Sequence, residues 1–223
     1  GVPVRSFWFD GGTVANLSEA ANAAFVVSLP WGGEAARILG RRIGRPVIEA
    51  GVPVGLDGTV QWVQTLARAV GREAEAEAFI DRELDRAVAL LEWAVPRGLM
   101  HRNVAIDADP FLAAALVGCL AEPGVQIRSV NVLARAEADA EPVLRALEAA
   151  GQTAVVRVDS PFGALEALWA EQAGRGELDL VIGTSTVRDA VPRGIPCLEL
   201  GYPSFIRHAL YPAPWWGFRG TLW

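Results

Sequence analysis

A chain of 223 residues, 52% hydrophobic and 21% charged, is long enough for one large domain or two small ones and is not a disordered segment. The net charge is −6 and all 20 basic residues are arginine. That excludes a Walker-type phosphate loop and a lysine Schiff base, and argues against nucleic acid as a partner. Cys119, Cys197, His101 and His208 are too scattered for a zinc spacing, and two thiols are too few for a conventional iron–sulfur cluster.

Residues 4–9 read as a buried strand, followed by the turn Asp10-Gly11-Gly12 and a short helix over 16–21 with Thr13 as its cap. A second apolar strand over 24–29 leads through Pro30-Trp31-Gly32-Gly33 into a helix carrying Ala36, Ile38 and Leu39. A third strand is expected over 45–49. After Gly51 to Gly58, the segment 59–70 places Trp62, Val63, Leu66 and Val70 on one helical face, and Gly71 ends it. The longest helical pattern runs over 73–95, with Ile80, Leu84, Ala87, Val88 and Leu91 as its apolar stripe and Pro96-Arg97-Gly98 closing it.

The second half repeats the alternation more cleanly. Strands are expected over 103–106, 125–133, 153–158, 178–182 and 196–200, with helices over 110–122, 139–150 and 160–172. Strand alternating with helix is the pattern of a parallel sheet covered on both faces, here a doubly wound sheet of four or five strands. Ligands of such sheets sit at the carboxyl ends of the strands, where strand order switches. Those ends are Asp107 to Asp109, Asp159-Ser160, Gly183 to Ser185 and Gly201-Tyr202.

Each candidate has a functional and a structural reading. Asp107 and Asp109 could hold magnesium or a ribose hydroxyl, or could top a strand and cap the helix that opens at Pro110. Gly183-Thr184-Ser185 nearly matches a nucleophile elbow, but Val187 stands where a small residue is required and Asp189 is too close to Ser185 to serve across an imidazole. The same turn could accept an anion on its N–H groups or be a satisfied helix cap. His208 is a ligand or base, or a structural hydrogen-bonding group. Trp215, Trp216, Phe218 and Trp223 form an interface patch or pack onto the sheet edge. No Gly-x-Gly-x-x-Gly follows a strand, which disfavours a Rossmann dinucleotide site. The longest apolar run, 110–121, is short of the roughly 20 residues a bilayer needs. No basic-then-apolar leader stands at Gly1, so a cytoplasmic protein with two buried, reduced thiols is expected.

Taken in order, four stretches resemble the nitrogenase component 1-type oxidoreductases, the family of nitrogenase α and β subunits, their cofactor-assembly scaffolds and the dark-operative protochlorophyllide and chlorophyllide reductases. They are Gly11-Gly-Thr13 with Ala20-Ala-Asn-Ala23 and Leu29-Pro-Trp31; Val52-Pro-Val-Gly-Leu-Asp-Gly-Thr59 with the helix to Gly71; Leu178-Asp-Leu-Val-Ile-Gly183; and Gly201-Tyr-Pro203, Arg207-His208 and Gly217-Phe-Arg-Gly220. The last is most similar to the β-type subunits and their scaffold relatives.

The resemblance implies an α/β fold of two Rossmann-like doubly wound parallel-sheet domains joined by a long helix. Residues 1–72 would be part of a middle domain, 73–97 the linking helix and 98–223 the C-terminal domain. It implies a heterotetrameric oxidoreductase with a homologous partner subunit and an ATP-hydrolysing iron protein as electron donor. No cofactor or metal is expected in this segment, the iron–sulfur cluster or metallocluster belonging to the rest of the complex. The cofactor-ligating Cys and His of α-type subunits would fall near Ser28 and near Gly201, so a β-like subunit without a catalytic side chain fits better. Asp107, Asp109, Gly183, Thr184, Ser185, Gly201, Tyr202 and His208 are then expected to line a ligand or an interface. The competing expectations are an assembly scaffold without turnover and a free-standing small-molecule-binding protein with a cleft between its halves.

Overall fold

The computed structural model describes residues 2–8, 13–206 and 214–222. Within them the chain is an α/β protein with two parallel sheets. The first pairs β1 (Val26–Ser28) with β2 (Val47–Glu49), joined by a 3-10 turn at Pro30–Gly32 and α2 (Gly33–Ile43). Gly40 of α2 must be glycine because a Cβ there would stand 2.6 Å from Val47 Cγ2 and 2.8 Å from the Arg45 carbonyl. The helix expected at 16–21 forms as α1 (Val14–Ser18), capped by Thr13, and tightens into a 3-10 turn at Glu19–Asn22.

The strand expected over 4–9 is not formed in its described part. Residues 4–8 join no sheet, and Val4 is 79% exposed. An apolar run becomes a strand only where a neighbour takes its N–H and C=O groups, and none does so among the described residues. Phe9 and the Asp10-Gly11-Gly12 turn lie outside the described residues.

Two helices follow. α3 (Gly55–Val70) begins four residues before the expected start at Thr59 because the Glu122 carboxylate, from elsewhere in the chain, accepts from Leu56 N at 3.0 Å and Asp57 N at 3.2 Å. A carboxylate on the exposed N–H groups of a first turn is a cap supplied in trans. α4 (Glu73–Gly98) runs through Pro96, which removes one N–H in the last turn but does not end the helix there. It packs on α3 and on the C-terminal α8 (Gly217–Leu222), burying Ile80 and Ala87, while Val88 of the expected stripe stays exposed.

The second sheet holds β3 (Asn103–Ala108), β4 (Gln126–Val132), β5 (Val155–Val158), β6 (Leu180–Gly183) and β7 (Cys197–Glu199), all parallel, in the order β5-β4-β3-β6-β7. α5 (Pro110–Ala121) and α6 (Glu141–Ala149) cover one face and α7 (Phe162–Gly174) the other, with a 3-10 turn at Ser185–Ala190. Alternation along β3 sends Val104, Ile106 and Ala108 into the core under α5 and α6, and Ala105 towards Trp169 and Leu165 of α7. Asp107 therefore ends the α7-side row. No helix among the described residues is long and apolar enough to cross a membrane.

Candidate functional site

Strand order reverses between β3 and β6, so the carboxyl ends of these two strands define the switch point. Asp107 stands there with 0% of its surface exposed. Its Oδ1 accepts from Asn131 Nδ2 of β4 at 2.7 Å, and its Oδ2 accepts from Thr184 Oγ1 beyond β6 at 3.1 Å. Asn131 is oriented in turn by Ser160, whose N–H donates to Asn131 Oδ1 at 3.1 Å, and Thr184 Oγ1, its own proton given to Asp107, accepts from Thr186 Oγ1 at 2.7 Å. A polar chain thus crosses the ends of four adjacent strands. Burial pushes the Asp107 carboxyl above its ordinary range, outweighing the hydrogen bonds from Asn131 and Thr184 that favour the anion.

Asp109 does something different two residues later. It caps α5, its Oδ1 accepting from Phe111 N at 3.0 Å and Leu112 N at 3.2 Å, and also takes the Trp31 indole N–H at 2.9 Å. The two carboxylates are thus spent on separate tasks, and no group of three or more His, Cys, Asp or Glu able to hold a metal exists among the described residues.

Gly183 lets this edge close, since a Cβ there would lie 2.9 Å from Val187 Cγ2 and 3.0 Å from Asp107 Cβ. The turn that follows is not an open anion cradle. Ser185 N donates to the Pro203 carbonyl at 3.0 Å, across a cis Tyr202-Pro203 bond. Its hydroxyl donates to Glu199 Oε1 and accepts from Phe205 N at 2.7 Å. Ser204 Oγ at 2.7 Å and Ile206 N at 3.2 Å converge on the same Glu199 oxygen. The loop after β7 is therefore latched onto the turn after β6. Gly201 allows the path with φ +109, and the latch leaves Tyr202 90% exposed. His208 and Arg207 lie outside the described residues.

Ser185 thus has a carboxylate partner in Glu199 and, among the described residues, no imidazole partner. Ser185→Ala is expected to lower stability by about 1–2 kcal/mol, because the Phe205 N–H and a Glu199 lone pair lose their partner. Limited proteolysis should show faster cleavage within 199–206, and an unchanged digestion rate would contradict the latch.

The aromatic cluster divides. Phe218 is buried against Phe79 with ring centroids 6.1 Å apart, whereas exposed Trp216 lies 5.7 Å from Trp31, itself edge-on to Phe111 at 6.3 Å. Trp31, Phe111 and Trp216 together form an exposed aromatic surface beside Asp109. Both thiols are free. Cys119 is pushed up to about 12, by burial first and by Glu122 second, and burial likewise raises Cys197. Neither is a thiolate at neutral pH.

Sequence reasoning overlooked Glu199, Asn131, Trp31 and Glu122. Ser129 and Asn131 were legible as two polar residues two apart, hence on one face, within an apolar strand. Glu199 was likewise a charge inside an apolar run. Trp31 and Glu122 carried no such local signal.

The family model for nitrogenase component 1 type oxidoreductases matches residues 1–223. The chain is 28% identical over 226 residues to the nitrogenase vanadium-iron protein beta chain of Trichormus variabilis, covering 98% of this chain and 48% of that one. It is 29% identical over 223 residues to the nitrogenase molybdenum-iron protein beta chain of Methanothermobacter thermautotrophicus, covering 97% and 46%. The chain therefore spans about half the length of these relatives. Among solved structures, one titled nitrogenase Cp1 at pH 6.5 superposes with a TM-score of 0.79 at 22% identity, over 100% of this chain and 48% of that one, a likeness of fold.

Proposed function

The chain belongs to the nitrogenase component 1-type oxidoreductase family, and from that premise we propose that it is the middle-domain part (1–72), linking helix (73–97) and C-terminal domain (98–223) of a β-type subunit of a nitrogenase-like reductase. The subunit pairs with a homologous partner in a cytoplasmic heterotetramer and receives electrons from an ATP-hydrolysing iron protein. The observation that carries this reading is that relatives matched over 97–98% of the chain are beta chains. Ser28, buried at the end of β1, and Gly201 stand near the positions where the resemblance locates the cofactor-ligating Cys and His of α-type subunits.

Among the described residues no group of three or more His, Cys, Asp or Glu could hold a metal ion, and the metallocluster is assigned to the rest of the complex. The work of this segment is positional. The latched edge at Asp107, Ser185 and Glu199 gives a rigid frame, and Tyr202, Trp31 and Trp216 are side chains that such a frame can present to a partner subunit.

The test is the full-length protein produced anaerobically with its partner and iron protein. Iron and acid-labile sulfide are expected in the complex, with reduction of a substrate that requires both iron protein and ATP. A complex free of iron and sulfide would overturn the reading. Iron-loaded complex without turnover on dinitrogen, acetylene, protons or tetrapyrroles would point instead to an assembly scaffold.

A further inference from the structure

We propose that the cavity beside the 3-10 turn after β6 binds a compact oxyanion, a carboxylate or phosphate on a short aliphatic body, between Arg188 and Arg193. The cavity has a volume of about 640 Å³ and is walled by that turn, the loop over 191–196 and the end of β7. This size suits a small metabolite. The inference goes beyond the subunit reading and does not depend on it.

Charge is the first argument. Of the 19 arginines among the described residues, eight form ion pairs, namely Arg37, Arg41, Arg72, Arg82, Arg86, Arg102, Arg145 and Arg175. Among the described residues neither Arg188 nor Arg193 does, and both line this one cavity. Arg188, Arg193 and Cys197 all line it, and the Cys197 thiol, raised first by burial, feels the positive charge of Arg188 as well as the negative charges of Glu199 and Asp107. The acidic lining group, Glu199, is already engaged by Ser185, Ser204 and Ile206 N–H. Guanidinium forks recognise carboxylate and phosphate oxygens bidentately, so two on one cavity favour an anion with at least two oxygens.

Shape and rigidity supply the second. Val191, Ile195 and Ile206 give the cavity an aliphatic wall, and among the described residues no aromatic side chain lines it. The loop that carries Arg193 is pinned by Val191 N to Arg188 O at 3.2 Å, by Ile195 N to Pro192 O at 3.1 Å and by Pro192 and Pro196. Little order remains to be imposed when a ligand binds.

Cys197 makes the cavity testable in the unmodified protein. The full chain is alkylated with iodoacetamide at mildly alkaline pH, with inorganic phosphate, succinate or chloride at matched ionic strength, and Cys197 and Cys119 are followed separately by mass spectrometry. Saturable slowing at Cys197 but not at Cys119 is expected with phosphate, with succinate or with both, and the pattern tells a phosphate ligand from a carboxylate. Arg188→Gln with Arg193→Gln should raise the half-protecting concentration by at least about tenfold, as loss of charge-assisted hydrogen bonds requires. The double variant should keep its circular dichroism and melting temperature, and Arg193→Gln alone serves if it does not. Protection no greater than that given by chloride, or protection undiminished in a folded variant, overturns the proposal.

Discussion

Asp107→Ala is expected to destabilise the protein by about 3–5 kcal/mol, the range of a broken buried polar network. The substitution removes the acceptor of two buried donors, the Asn131 amide at 2.7 Å and the Thr184 hydroxyl at 3.1 Å. Asn131 cannot turn to another acceptor without releasing Ser160 N–H, and Thr184 keeps only Thr186. At roughly 2–4 °C per kcal/mol for a chain of this size, thermal unfolding should begin about 10 °C lower. Calorimetry of the variant with a shift of only a degree or two would show that the polar chain is not what holds the strand ends together.

Asp107→Asn separates the network from its charge. An Asn here can accept from Asn131 with its carbonyl and donate to Thr184, which then donates to Thr186. The sign of the pH effect follows from the raised pKa of Asp107, set first by burial. Ionisation is harder in the folded than in the unfolded chain. The contribution of this site is therefore fully present below the ordinary carboxylate range and is lost as pH rises through the raised folded value. The parent should lose stability across that interval relative to Asp107→Asn, whose own curve lacks this limb. Parallel curves for the two proteins would mean that Asp107 titrates normally.

The second large effect is expected at Gly55→Ala, at about 2–5 kcal/mol. Gly55 has φ +78, where an L side chain costs about 1–2 kcal/mol. A Cβ there would also stand 2.7 Å from Glu122 Oε1, 2.9 Å from Cys119 Cβ and 3.0 Å from Cys119 Cα, and overpacking of this kind adds about 1–3 kcal/mol. The Glu122 oxygen could swing away, but only by releasing the N–H groups of Leu56 and Asp57. The backbone of Cys119 cannot yield without moving α5. Gly71→Ala is the control: it has φ +65 with nothing within 4 Å of its Cβ position, so it carries the strain without the clash. Gly55→Ala should melt well below Gly71→Ala, and Cys119, held near pKa 12 in the parent, should become alkylatable at lower pH. Equal melting of the two variants would mean that α3 does not depend on close approach to α5.

Burial of Glu122 likewise raises its carboxyl, against the pull of the Leu56 and Asp57 N–H groups. The α3 cap is thus made by an acid whose charge the packing disfavours, and its hydrogen bonds offset part of that cost.

What the sequence by itself determined was whatever depends on neighbours within a turn or two. The alternation of apolar strands with helices was enough for an α/β fold with a parallel sheet, and Asp109 before Pro110 was legible as a cap two and three residues from the N–H groups it serves. The ordered motifs were enough for the family, because each is a short contiguous string. Only the tertiary structure decided which groups from distant parts of the chain meet. It gave residues 4–8 no strand partner among the described residues, started α3 early with the carboxylate of Glu122 just past α5, and closed the turn after β6 with Glu199 and the Pro203 loop. It also divided one aromatic cluster into buried Phe218 and exposed Trp216. A hydrogen bond or a covered ring needs two surfaces, and where the second arrives from dozens of residues away, nothing in the local string announces it.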